Sequence, residues 1–229
     1  VAGKPVARLD TVDKVTGKQV YGIDFTMAGM LVATVRACPV NGGKLKSFEA
    51  AKVEKMPGVK RVFAVDGNAV IVVADTYWNA RTALAALPTE WDVGKLGEVQ
   101  TETIAAMLKE GLTASEAFVG NKVGDAKAAI DGAAKKVEAT YSFPYQHHVT
   151  MEPMNATARY TPQKCEVWCG TQNGEAALAA ASEASGLPVG QCEVYKLMLG
   201  GGFGRRGRAD YVRQAVLAAK EMPGTPVKL

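Results

Sequence analysis

Apolar and polar positions divide this chain into an ordered opening, a glycine-broken middle and an ordered close. In the opening, QVYGIDF (19–25) and GMLVATVRA (29–37) carry the β-branched and aromatic residues of two strands. SFEAAKVEKM (47–56) places Phe48, Ala51, Val53 and Met56 on one helical face, with Ser47 as N-cap and Pro57-Gly58 as its end. VKRVFAV (59–65) and AVIVVA (69–74) predict two more strands joined through Asp66-Gly67-Asn68. TYWNARTALAAL (76–87) predicts a helix capped by Thr76 or Asp75 and stopped by Pro88, and TEWDV (89–93) a short strand.

Residues 93–135 change character, with glycines at 94, 97, 111, 120, 124 and 132 and frequent charges. Two short helices, TETIAAMLKEG and GDAKAAIDGA, are expected within a long surface connector. Regular patterning then resumes. KKVEATYSF (135–143) alternates as a strand does, and NATARYT with KCEVWCG predicts an antiparallel pair about Thr161-Pro162-Gln163. GEAALAAASEASG is a helix ending at Gly186, CEVYKLML a strand, RADYVRQAVLAAK a helix and PVKL the start of a strand. The elements before 199 read as an antiparallel meander.

The strand and helix that flank residues 199–208 are separated by LGGGFGRRGR. Glycines there free the backbone to approach a ligand with its N–H groups exposed, a helix N-terminus favours anions, and Arg205 and Arg206 add forked donors. An anion-cradling loop is the expectation. The G-x-G-x-x-G match at Gly202, Gly204 and Gly207 is a weak dinucleotide fingerprint, because no parallel βαβ unit is expected before it. A nicotinamide dehydrogenase therefore stands as a minor alternative. GTQNG (170–174) closes an apolar strand just before a helix, which leaves two roles open: Gln172 as a donor to a cofactor oxygen, or a capping segment with Asn173 as the cap.

Composition adds mainly exclusions. The chain has 229 residues, 48% hydrophobic and 22% charged, enough for a buried core, and its net charge of +4 is too mild and too scattered for nucleic acid. There is no apolar run of membrane-spanning length and no signal peptide. Cys38, Cys165, Cys169 and Cys192 form no C-x-x-C pair. Cys165 and Cys169 share one strand face and read as small buried hydrophobes. His147 and His148, the only histidines, point to opposite faces of a strand, so one is expected in or near the core and the other exposed. No nucleophile elbow, zinc pattern or self-contained catalytic set is present. The terminal residues Val1 and Leu229 suggest a piece of a longer polypeptide.

Taken together, RLDTVDKVTGKQVYGIDF, MPGVKRV, AVIVVADTYWNARTAL and EWD resemble the α/β-hammerhead domain of the xanthine dehydrogenase and aldehyde oxidase family. HVTMEPMNATA, GTQN and GGGFGRR resemble the start of its molybdopterin-binding domain. GGGFGRR and MEPMN are similar to the large subunit of isoquinoline 1-oxidoreductases and of related membrane-associated aldehyde dehydrogenases. The resemblance implies an α+β fold in three parts: a hammerhead over 1–93, a connector over 94–135 and a partial molybdopterin-binding domain over 136–229. It implies a molybdenum hydroxylase, in which the pterin dithiolene holds the metal. Gln172 matches the glutamine beside the molybdenum oxo group, and Gly201, Gly202, Phe203 and Gly204 match the loop that approaches the cofactor.

The resemblance also implies a small [2Fe-2S] partner subunit, a cytochrome c acceptor, an aldehyde or N-heterocycle substrate and, in bacteria, the cytosine dinucleotide form of the cofactor. Arg205 and Arg206 depart from the Gly-Lys of xanthine dehydrogenases. The catalytic glutamate of the family lies beyond this chain and Glu152 does not match it, so Glu152 is expected to be structural. The piece alone is expected to be inactive and to hold no cofactor, and the hammerhead could serve chiefly to join subunits. Relatives in cytoplasm and periplasm leave the compartment open.

Overall fold

The computed structural model describes residues 2–116 and 118–229, which fall into two units, one running to Leu96 and resuming from His148 to Leu229, the other Gly97–His147.

The larger unit begins with a short helix α1 (Thr11–Val15), then strands β1 (Leu31–Ala37), β2 (Lys44–Phe48), β3 (Val59–Val65) and β4 (Ala69–Ala74), helix α2 (Tyr77–Ala86) and strand β5 (Thr89–Asp92). The smaller unit carries helices α3 (Thr101–Gly111) and α4 (Ala126–Asp131), and none of its described residues is buried. The larger unit resumes with β6 (Thr157–Tyr160), β7 (Cys165–Cys169), α5 (Gly174–Ser185), β8 (Cys192–Lys196), α6 (Asp210–Lys220) and β9 (Val227–Lys228). Among the described residues, no helix is long and apolar enough to cross a membrane.

Seven strands form one mixed sheet in the order β3-β4-β1-β9-β6-β7-β8, and β2 pairs with β5 in a separate ribbon. The two halves of the larger unit meet where β9 runs parallel to β1 and antiparallel to β6. The sheet is continuous across the first and last parts of the larger unit.

β4 shows why this sheet is buried on both faces. Its residues alternate between two cores, as successive strand side chains must. Val70 and Val72 pack with Ala83, Leu84 and Leu87 beneath α2. Ile71 and Val73 pack on the other side with the cluster built on Ala177, Ala181, Val212, Ala215 and Val216 of α5 and α6. A strand covered twice reads as an unbroken apolar run, which is what AVIVVA is.

Several expected elements differ. QVYGIDF is a turn: the Asp24 carboxylate accepts the Tyr21 N–H at 3.0 Å, and only Tyr21 makes an isolated bridge, to Met198. An Asp side chain that satisfies nearby backbone competes with strand pairing. SFEAAKVEKM is not a helix, because Ser47 and Phe48 pair with Glu90 and Thr89 in the β2–β5 ribbon, leaving only a 3-10 turn over Ala50–Lys52. KKVEATYSF has no strand: Val137, Tyr141 and Phe143 stand exposed, and among the described residues no edge pairs with them. Alternation specifies a strand only where a ladder partner exists. The meander is corrected too. β6 and β7 are antiparallel, but β8 lies parallel to β7 after crossing through α5.

Candidate functional site

The glycine loop and the TQN segment meet at the ends of β8 and β7. β7 ends at Cys169, whose carbonyl accepts the Leu197 N–H at 2.9 Å and holds the two strand ends together. The buried Tyr211 hydroxyl of α6 donates to the Gly170 carbonyl at 2.9 Å. Burial pushes the Tyr211 phenol up to about 12, so it remains a donor at neutral pH. Tyr211→Phe leaves that carbonyl without its partner and is expected to cost about 1–3 kcal/mol in denaturant unfolding; an unchanged midpoint would show the bond to be inert.

Thr171, Gln172 and Asn173 divide the work between the two roles left open by the sequence. The Asn173 carboxamide accepts the Ala176 N–H at 3.0 Å and caps α5. Thr171 is buried, and its hydroxyl and the Gln172 N–H both donate to the Arg206 carbonyl, at 3.2 Å each. Gln172 is exposed and turns to the loop, where its Oε1 accepts the N–H groups of Gly204 at 3.1 Å and Arg206 at 3.2 Å. Two donors on one carboxamide oxygen fix which end is which, and the Nε2 group lies beside Gly202, 3.1 Å from a Cβ placed there. Among the described residues, Nε2 has no hydrogen-bond partner.

At Gly200 and Gly202 the loop is bare because neighbouring side chains occupy the space. A Cβ on Gly202 would lie 2.5 Å from Gln172 Oε1, and one on Gly200 would overlap the Glu152 Cβ. Gly202 is buried while Phe203 is 75% exposed. Among the described residues, the N–H groups of Gly201, Gly202 and Phe203 have no acceptor. Phe203 adopts a φ of 50° and Val149 one of 45°, and the chain beside Val149 touches the loop, since Thr150 lies 3.7 Å from a Cβ placed on Gly201. Left-handed backbone at a bulky or β-branched residue is costly and persists where surrounding structure enforces it. None of these residues lines the apolar groove of about 600 Å³ bounded by Met30, Val32, Tyr77, Met154 and Leu229.

The arginines correct the anion-cradle expectation. Arg205 pairs bidentately with Asp210 at 2.8 and 2.7 Å. Burial pushes the Asp210 carboxyl up, but the Arg205 fork outweighs it and holds the carboxyl below its ordinary range. The anionic place in the first turn of α6 is therefore taken by the protein's own carboxylate. Arg206 is fully buried, with Glu152 as its ion-pair partner at 3.0 Å. Both guanidinium groups are engaged by the protein's own carboxylates, although Arg206 Nη1 is buried without a hydrogen-bond partner among the described residues. The sequence carried no signal for this pair, whose members lie far apart along the chain, beyond the glycines that leave room for Glu152.

Cys165 and Cys169 are fully buried, and burial raises their thiols to about 12 and about 11, so both stay protonated at neutral pH. His147 and His148 are both exposed, so neither is a core histidine, because the segment carrying them is not a strand; His148 Nε2 lies 3.9 Å from a Cβ placed on Gly204, beside the loop. Among the described residues, no three His, Cys, Asp or Glu side chains are placed to hold a metal ion. The donor set at the loop consists of N–H groups throughout, which suits an anionic ligand and not a bare cation.

Comparison with known proteins agrees with that chemistry. The family model of the molybdopterin cofactor-binding domain matches residues 110–229, more than half of the chain. A membrane-bound aldehyde dehydrogenase [pyrroloquinoline-quinone] of Gluconacetobacter polyoxogenes is 29% identical over 96% of this chain and 30% of its own length. The isoquinoline 1-oxidoreductase subunit beta of Brevundimonas diminuta is 26% identical over 89% of this chain and 27% of its own. The chain thus spans less than a third of the length of these curated relatives. Among solved structures, the aldehyde oxidoreductase of Desulfovibrio gigas superposes with a TM-score of 0.74 at 22% identity, covering 97% of this chain and 29% of that one. Quinoline 2-oxidoreductase of Pseudomonas putida 86 superposes with a TM-score of 0.73 at 20% identity, covering 99% and 34%. With an anion-suited loop at its strand ends and a family match over its whole second half, the chain belongs to the molybdopterin cofactor-binding domain family.

Proposed function

We propose that this chain is part of the large subunit of a molybdenum-dependent oxidoreductase of the xanthine dehydrogenase and aldehyde oxidase type, and that Gln172 with Gly201, Gly202, Phe203 and Gly204 faces its molybdopterin. One observation carries the reading. The Gln172 carbonyl is held by two loop N–H groups, which leaves its own N–H₂ free to donate beside three peptide N–H groups that have no acceptor among the described residues. Donors fixed in advance are suited to negative charge that grows during a reaction.

When bound, the pterin-held molybdenum supplies a two-electron oxidation of an electron-poor carbon with oxygen drawn from water. The chain's own part is to bind and orient: Gln172 Nε2 and the loop N–H groups would hold the anionic face of the group, and Phe203 would present an apolar ring beside it. The base glutamate is assigned to another part of the polypeptide, so the 229-residue piece by itself is inactive and holds no cofactor. Substrates are aldehydes or N-heterocycles, both of which occur in the names of the relatives. Electrons leave through a small [2Fe-2S] subunit to a cytochrome c, and the cofactor is the cytosine dinucleotide form. Residues 1–93 form the hammerhead, with 94–135 as connector and 136–229 as the beginning of the cofactor domain.

The relative named for pyrroloquinoline-quinone makes cofactor analysis the deciding experiment. Full-length protein, purified with its partner and acid-extracted, is expected to contain stoichiometric molybdenum and a pterin that releases a cytidine nucleotide. A bound quinone in place of molybdenum would overturn the reading. Surface substitutions on 1–93 that weaken subunit assembly without slowing turnover would favour the second reading, in which the hammerhead serves mainly as an interface.

A further inference from the structure

We infer that Glu152 and Arg206 are positioning residues that together set the outer face of the glycine loop, although neither side chain reaches that face. This rests on the proposal that the loop faces a cofactor.

The geometry forms a closed circuit behind the loop. Glu152 Oε2 accepts the Gly200 N–H at 2.7 Å and pairs with Arg206 at 3.0 Å. Arg206 Nε donates to the Gly201 carbonyl at 2.8 Å, and its Nη2 donates to the Glu152 carbonyl at 2.8 Å. The Glu152 N–H in turn donates to the Gly200 carbonyl at 3.1 Å. Both polar groups of Gly200 and the carbonyl of Gly201 are thereby turned inward. The Arg206 N–H also reaches Gln172 Oε1, so the residue that anchors the start of the loop from behind holds the carboxamide from the front. Glu152 extends the circuit to the chain's first part, since its Oε1 accepts the Ile23 N–H at 2.9 Å and the Asn155 Nδ2 at 3.0 Å.

Each partner makes contacts that a simple charge could not replace. A guanidinium supplies separate donors in a fixed fork, whereas an ammonium is a single point. With the carbonyls of Gly200 and Gly201 fixed inward, the N–H groups of Gly201 and Gly202, on the opposite side of the same trans peptides, are left to face the other way. The circuit selects the loop's polarity, donors outward and acceptors inward, which the proposed anionic ligand requires.

The experiment uses the full-length protein with its partner subunit and three variants, Arg206→Met, Arg206→Lys and Glu152→Gln. Two quantities are read: hydrogen exchange of peptides covering 197–207, and molybdenum per chain. Arg206→Met is expected to speed exchange of that peptide by about tenfold or more at labelling times short enough that peptides of β4 and α5 are still protected from exchange through global unfolding. Glu152→Gln, whose single oxygen can still accept from Gly200 while its N–H₂ end can no longer accept from Ile23, should change it less, and Arg206→Lys should fall between the two. Molybdenum content should fall in the same order. Wild-type exchange across 197–207 in Arg206→Met would overturn the inference, and so would faster exchange spread evenly over the sheet and helices. Failure of the cofactor reading is separable: wild-type protein without molybdenum, in which the variants still loosen the loop selectively, leaves the circuit standing and removes the cofactor.

Discussion

Gly202→Ala is expected to leave the fold close to wild-type stability and to lower turnover of the full-length protein by about 10²-fold, because misplacing a positioned group by about 1 Å has that effect. The added methyl would meet Gln172 Oε1 at 2.5 Å and Cδ at 2.6 Å, the far end of a flexible side chain that can swing away. Stability is therefore spared, while the carboxamide loses its bonds to the N–H groups of Gly204 and Arg206. Gln172→Ala removes the same donor and should fall into the 10²–10³-fold range known for loss of one preorganised donor. Since both changes act on one group, the double variant should be no slower than Gln172→Ala alone. Steady-state kinetics beside a thermal melt decides the matter. Full turnover by Gly202→Ala would mean that Gln172 does not act from the position it occupies here.

Arg206→Met is expected to lower the unfolding free energy by about 3–5 kcal/mol, the usual cost of leaving one member of a buried ion pair unpaired. Arg206 is fully buried and Glu152 nearly so, which leaves the remaining carboxylate no route to water. The double variant Glu152→Gln/Arg206→Met should recover part of the loss, because a carboxamide carries no charge to leave unpaired and its one oxygen can still accept from Gly200. Denaturant unfolding followed by tryptophan fluorescence measures both. Additive losses would show that the two side chains do not depend on each other.

What could be read from the sequence follows from how local each signal was. β3, β4 and α2 with its Thr76 cap, and the β6–β7 pair with the Asn173-capped α5, announce themselves within a few residues, because their periodicity and caps are local properties. SFEAAKVEKM and QVYGIDF misled because strand pairing with β5 and the Asp24 turn decide those segments, and neither partner shows in the pattern itself. At the candidate site, the meeting of Gln172 with the glycine loop was legible as two motifs at strand ends. The fate of the arginines was not. Arg205 and Arg206 look alike in sequence, yet one pairs at the surface with a residue five positions on and the other is buried against Glu152, 54 residues earlier. Only the topology that carries β8 alongside β7 distinguishes them.

The doubly covered β4 has a consequence for synthesis. Its partner helix α2 follows at once, but α5 and α6, which cover the opposite face, begin only at Gly174 and Asp210. At about 5–20 residues per second the ribosome needs at least several seconds to make that stretch. During this interval Ile71 and Val73 belong to an uncharged, proline-free hexapeptide, AVIVVA, of the kind that self-associates as cross-β stacks. The nascent chain therefore passes through a window in which it depends on chaperone cover, and crowded polysomes or slowed elongation between codons 75 and 174 would lengthen that exposure.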